Sequence, residues 1–304
     1  MKNLTIYSFY RFLEISNKKQ IKKKLDSYFK FKVIRGTILL ADEGINASIS
    51  GDEETLEKTV KFIKRELKIR KLDIKKNNTN FLPFNKMKVR LKKEIVSLGV
   101  GNFKSKNFHG KYIHPSGWND IIFDKNTKVI DVRNMYEINI GKFKNSINPL
   151  TNTFREFPKK INNLNLSKKD KIAMYCTGGI RCEKASTYLK KKGFKNIFQL
   201  KGGILNYLNN IKKKDSLWKG ECYVFDNRIS LKHKLKPGTH SMCSGCRTPI
   251  AAKDKRSYKY EEGVSCPRCY DKLSNSQKIR FRMRQNQINL AKKVGRKHKF
   301  QKEF

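Results

Sequence analysis

The sequence predicts a multidomain chain of mixed α+β and α/β class, and three observations carry that reading. Residues 1–98 run in the order strand, helix, strand, strand, helix, strand, the pattern of a ferredoxin-like α+β module. After a linker at 99–111, short apolar runs alternate with helical patterns over 112–214, as in an α/β domain with a parallel sheet. Two Cys-x-x-Cys knuckles then mark residues 215–304 as a zinc-ribbon-like module with a basic helical tail.

In the first module, residues 4–9 read as a strand, and Ile21, Leu25, Tyr28 and Phe29 line one face of a helix. Two apolar-rich runs at 33–41 and 45–50 flank Asp42-Glu43-Gly44, which is hairpin chemistry. Asp52 is placed to cap the next helix, whose apolar face is Leu56, Val60, Ile63 and Leu67. A strand at 72–75 is expected to complete the order. The fold alone leaves an RNA-contacting role and a packing role both open. Met87, Val89 and Leu91 alternate with Lys88, Arg90 and Lys92, which describes a basic strand or a lysine-protected sheet edge. Glycines from Gly99 to Gly110 indicate the linker.

The second domain is organised around one thiol. Residues 128–133, 171–175 and 196–200 are short buried-strand runs, and Cys176 follows the middle one where the chain turns into a helix ended by Gly193. Thr177, Gly178, Gly179 and Ile180 form a loop whose backbone N–H groups converge on one spot, closed by Arg181. Such a spot stabilises an anion: a thiolate, its persulfide or a bound oxyanion. Asp131 and Arg133 are expected to pair at the sheet's end. Gly202 and Gly203 are expected to permit a tight strand-to-helix turn.

Cys243, Cys246, Cys266 and Cys269 form the two knuckles, with nineteen residues between the pairs, and predict a closed structural zinc site of four thiolates. Of the remaining thiols, Cys182 is either a resolving partner for an oxidised Cys176 or a small residue filling the first helical turn, and Cys222 has no assigned role. Along the tail, Lys278, Arg280, Arg282, Arg284 and Lys297 lie among Phe281, Met283, Ile288 and Leu290, as in an RNA-binding arm or a solvated helix.

Lys and Arg number 70 against 26 Asp and Glu, a net charge of +44, so polyanions are the expected partners. The first residues hold too short an apolar run for a signal peptide, and none later reaches membrane-spanning length. A cytoplasmic protein follows, with no membrane partner and no evident obligate protein partner. Seven cysteines in a reducing compartment argue for metal and catalysis over disulfides.

Cys176-Thr-Gly-Gly-Ile-Arg181 resembles the active loop of rhodanese domains, one residue shorter than the phosphate cradle of cysteine phosphatases. Asp131, Arg133, Glu137, Gly141 and 146–149 match the rhodanese pattern in order, with Lys142-Phe143 a departure where many such domains carry a histidine-containing pair. Together with 41–46, 112–115, 153–157, 176–184, 200–205 and 220–228, the chain resembles the oxygen-dependent tRNA uridine hydroxylases that contain a rhodanese domain. The resemblance implies 5-hydroxylation of the wobble uridine of tRNA, with molecular oxygen as co-substrate, and an essential Cys176 able to carry a persulfide; no other cofactor is identifiable. Two alternatives stand beside it: a persulfide sulfurtransferase acting on tRNA or a small acceptor, and a non-catalytic RNA-binding zinc protein.

Overall fold

The computed structural model describes residues 4–100 and 110–296. Most of the expected linker and Lys297 lie outside the described residues. Strands β1 (Leu4–Phe12), β2 (Arg35–Ala41), β3 (Gly44–Gly51), β4 (Lys75–Thr79) and β5 (Met87–Leu91) form one sheet in the order β4-β1-β3-β2-β5, with helices α1 (Lys18–Phe29) and α2 (Glu53–Glu66) as its crossovers. The first four strands pair antiparallel, the arrangement in which each β-α-β unit receives a strand of the other between its own two. Leu56, Val60, Ile63 and Leu67 are buried against Ile21, Leu25 and Phe29 in one core. Each such side chain contributes roughly 1.5–3 kcal/mol by leaving water. Asp52 caps α2, accepting the Thr55 N–H at 2.9 Å.

One boundary differs from expectation, and one expected edge strand finds its place. The fourth strand begins at Lys75, three residues after Leu72, because its pairing with β1 is made by the polar run 75–79. Residues 87–91 add a fifth strand, parallel to β2 at the sheet's edge, with Val89 buried and Arg90 exposed.

The central unit has a four-stranded parallel sheet of order β6-β10-β9-β7, from β6 (Lys111–Ile113), β7 (Thr127–Asp131), β9 (Lys171–Tyr175) and β10 (Asn196–Leu200). Helices α3 (Trp118–Phe123) and α7 (Gly203–Asn210) share one apolar cluster, and α5 (Phe157–Ile161) and α6 (Ile180–Lys191) share another. The short elements α4 (Met135–Ile138) and β8 (Gly141–Phe143) follow β7. Phe143, at the point of departure from the rhodanese pattern, is fully buried and meets Tyr175, Tyr207 and Trp218 edge-on, with ring centroids 4.8, 4.7 and 5.1 Å away. The departure is therefore filled by an aromatic core. Trp218–Gly220 pairs with β8, and Trp218 and Cys222 pack in the same cluster, so the chain leaves the central core only after Cys222.

Candidate active site and metal centre

Cys176 follows directly on β9, and its fate is set by two glycines. Gly179 has φ +104°, and a Cβ there would lie 2.9 Å from the Tyr10 hydroxyl, so only glycine turns the chain into α6 at this point. Its N–H then donates to Cys176 Sγ at 3.1 Å. Gly203 (φ +69°) approaches even closer, since a Cβ would sit 2.5 Å from the Cys176 carbonyl oxygen. That proximity lets the N–H groups of Ile204 and Leu205, at the start of α7, donate to the carbonyls of Cys176 and Thr177 at 2.9 and 3.1 Å. The loop is thus held by the helix that follows the 200–205 motif.

Arg181 is turned inward. Its guanidinium makes a fork onto buried Glu137 at 2.6 and 2.7 Å, and the Thr177 hydroxyl donates to the same carboxylate at 3.2 Å. Burial opposes the charge on Glu137, yet Arg181 and Arg133 hold its carboxyl below the ordinary value. Arg181 therefore closes the loop as half of an ion pair. Burial also pushes the Cys176 thiol up, but hydrogen bonding from Cys182, the Arg181 charge and the N–H groups of Cys182 and Gly179 prevail and bring it down to about 5. Burial and the neighbouring Cys176 push Cys182 the other way, well above its usual range. Cys182 keeps its proton and serves as donor to a Cys176 thiolate, while packing in the core beside Ala185 and Leu189. Cys222 is also buried, its thiol pushed up to about 12 by desolvation. Asp131 and Arg133 pair at 2.6 Å, both fully buried.

Several residues at this site receive no role from the sequence. Lys75 reaches in from β4 and donates to the carbonyls of Gly178 and, at 3.0 Å, Gly202. Glu183 accepts from the hydroxyls of Tyr112 (2.7 Å) and Tyr10 (3.2 Å) and from Gln199 (3.3 Å). Lys184, fully buried, bonds Glu43 at 2.8 Å and Glu94 at 2.5 Å. The stretch 41–46 is therefore an interdomain buckle: Glu43 takes both Lys184 and the Ile95 N–H, and Asn46 donates to the Ile95 carbonyl. In the stretch 220–228, Asp226 pairs with Arg228 at 2.6 Å, leaving Phe225 63% exposed with its ring 5.9 Å from the Arg181 guanidinium.

These residues surround a cleft of about 1520 Å³ between the N-terminal sheet and the central loop, with Cys176, Tyr10, Lys75 and Phe225 among its lining. Arg11, Arg155 and Lys201 also line it and are exposed. Cys176 itself has no exposed surface.

The four knuckle thiols converge. Their sulfurs all lie within 4.8 Å of one another, with separations of 3.7, 3.8 and 3.9 Å for three of the pairs. A tetrahedral zinc with bonds of about 2.3 Å sets sulfur–sulfur edges of about 3.8 Å, so the set fits zinc with no ligand position left open. Helix α8 (Asn275–Lys293) is capped by Ser274 and docks on this module. Arg282 pairs with Glu261 at 2.6 Å, Arg284 donates to the carbonyls of Gly263 and Ser244, and Lys278 sits 3.8 Å from the Tyr270 ring centre. Three of the predicted RNA-binding side chains thus have intramolecular partners, whereas Arg280 is exposed.

A parallel sheet that delivers a lone cysteine into a short loop, closed by an arginine at the head of the next helix, defines the central unit as a rhodanese domain. The rhodanese-like domain family matches residues 117–210, and the UPF0176 acylphosphatase like domain matches residues 4–95. Over 300 residues the chain is 57% identical to the tRNA uridine(34) hydroxylase of Pelagibacter ubique (strain HTCC1062), covering 98% of this chain and 99% of that protein. The chain belongs to the tRNA uridine(34) hydroxylase family. Among solved structures, a rhodanese-related protein from Thermoplasma volcanium aligns at 30% identity over 32% of this chain and 90% of its own, with a TM-score of 0.28. A rhodanese-like domain from Anabaena sp. aligns at 18% identity over 36% and 78%, with a TM-score of 0.31. Among the described residues, no helix is long and apolar enough to cross a membrane.

Proposed function

We propose that this chain is an oxidoreductase that hydroxylates carbon 5 of uridine 34, the wobble position of tRNA, with molecular oxygen as co-substrate and Cys176 as the reacting thiol. The observation that carries the reading is the combination of an anion-stabilising cysteine loop with a large cleft rimmed by cations. At about 1520 Å³ the cleft exceeds what a single small ligand needs and suits a nucleotide with its flanking phosphates. Arg11, Arg155 and Lys201 supply phosphate contacts, and exposed Phe225 supplies a stacking face for an extruded base. A wobble uridine leaves its stack at lower cost than a paired one, which favours the anticodon loop over duplex sites.

In the chemistry proposed, the Cys176 thiolate adds to carbon 6 of the uracil ring, and the electron pair of the double bond moves to carbon 5. Carbon 5 then bonds an electrophilic oxygen derived from molecular oxygen. Loss of the carbon 5 proton and expulsion of the thiolate restore the double bond and leave the hydroxyl. The second oxygen atom leaves as water, taking up two protons and two electrons from an external thiol pair that is oxidised to a disulfide. Arg181 and the Gly179 N–H stabilise the sulfur when it departs as an anion. The knuckle cysteines hold zinc as a structural staple, and the enzyme works in the cytoplasm, where its tRNA is found.

A second reading, persulfide transfer, is favoured by one observation. Cys176 is fully buried, and a persulfide places the reactive sulfur about 2 Å further into the cleft. Nucleoside mass spectrometry of tRNA from cells lacking the protein separates the two. Loss of 5-hydroxyuridine, restored by the wild type and not by Cys176→Ser, is expected; loss of a thiolated uridine instead would replace the first reading by the second.

A further inference from the structure

We propose that Lys75 is a positioning residue for Cys176: from the first position of β4, its ammonium holds the peptide between Gly178 and Gly179 so that the Gly179 N–H faces the sulfur. In a trans peptide the C=O and N–H point in opposite directions. A donor on the Gly178 carbonyl and an acceptor for the Gly179 N–H therefore fix one orientation from both sides, and here the donor is Lys75 and the acceptor is Cys176 Sγ. The restraint is needed because glycines flank this peptide and no Cβ resists its rotation. Flipped, the same unit would turn a carbonyl oxygen toward the sulfur and disfavour a thiolate. Lys75 also donates to the Gly202 carbonyl at 3.0 Å, so one ammonium joins the active loop to the turn that starts α7.

The surroundings suit that task. The Tyr10 ring lies 5.7 Å from Lys75 Nζ, and the Tyr10 hydroxyl closes the space beside Gly179. Cys176, Cys182, Glu183, Asp73 and Tyr10 are among the titratable groups near the ammonium; Arg181 and Glu137 face the loop from α6 and α4. Burial lowers Lys75 to about 8, against the opposing pull of Cys176 and Glu183, so it carries its charge at neutral pH. Because β4 belongs to the N-terminal sheet, the active loop of the central domain is set by a residue from a different domain. The inference rests on the reading of Cys176 as the reacting thiol, but it is tested on the thiol itself.

The ultraviolet absorbance of the thiolate is titrated in the full-length, zinc-loaded protein for wild type, Lys75→Met, Lys75→Gln and Lys75→Arg, each corrected by the same chain carrying Cys176→Ser. Lys75→Met should raise the Cys176 midpoint by about one pH unit, a tenfold change in ionisation constant. Lys75→Gln, too short to span both carbonyls, should do the same and serves if the Met variant does not fold. Lys75→Arg should restore most of the shift. On tRNA, Lys75→Met should lower kcat more than it raises KM. An unchanged midpoint in folded Met or Gln variants, with only thermal stability lost, would make Lys75 an interdomain strut and overturn the proposal. The titration needs no tRNA, so it stands or falls separately from uridine hydroxylation.

Discussion

Two sulfur sites in this chain have opposite surroundings. Cys176 is a single sulfur with a guanidinium, two backbone N–H groups and a neighbouring thiol around it, whereas the sulfurs of Cys243, Cys246, Cys266 and Cys269 have one another as neighbours. One negative charge among donors is stable and remains reactive. Four together repel unless a dication is placed among them, and once coordinated they are chemically quiet. Position relative to positive charge, more than residue type, separates the thiol proposed to react from the four proposed to hold zinc.

Substitutions at the two sites should therefore have crossed effects. The largest belongs to the cluster: Cys266→Ser should release zinc and unfold residues 243–293, because metal binding of about 10–16 kcal/mol in such modules is also their folding energy. Metal analysis and limited proteolysis check this, with the Cys176 thiolate titration unchanged. Cys176→Ser should do the reverse, lowering hydroxylation at least about a thousandfold while zinc content and the fold are retained. Glu137→Gln blurs the contrast by leaving Arg181 buried without its partner; a loss of about 3–5 kcal/mol in denaturant unfolding is expected.

A pH series sharpens the comparison further. The folded Cys176 thiol lies at about 5, below its ordinary value near 8.5, so the stability it contributes is fully present only above the unfolded value and declines as pH falls toward 5. Reaction rate should rise through pH 5 and level off above it, measured as single-turnover hydroxylation. The smallest effect is expected at the tail, where Arg282→Ala removes a largely exposed pair with Glu261 and should leave denaturant unfolding almost unchanged, the more so in high salt.

The elements were legible in the sequence where local chemistry decides them. Asp42-Glu43-Gly44 marked its hairpin, Asp52 its cap, and the apolar spacing at 56–67 its helix face. The loop cysteine and the knuckles were legible because turn geometry and ligand spacing are local too. Lys75, Glu183 and Lys184 were not, since their roles depend on partners 103, 173 and 90 residues away in the chain. The polar strand at 75–79 was misplaced for a related reason: its pairing with β1, and no apolar pattern of its own, makes it a strand. The position of Arg181 at the end of the loop is readable from the sequence, but its engagement by Glu137 is a tertiary fact.

The central claim is that Cys176 bonds the uracil ring, and trapping tests it most directly. The protein is incubated with oxygen and a tRNA carrying 5-fluorouridine at position 34, where the missing carbon 5 proton blocks the normal elimination, and is then digested for peptide mass spectrometry. The account predicts a nucleotide adduct on the Cys176 peptide that Cys176→Ser lacks. A sulfenate or oxidised persulfide on Cys176 with no adduct would contradict it and make the sulfur the oxygen donor.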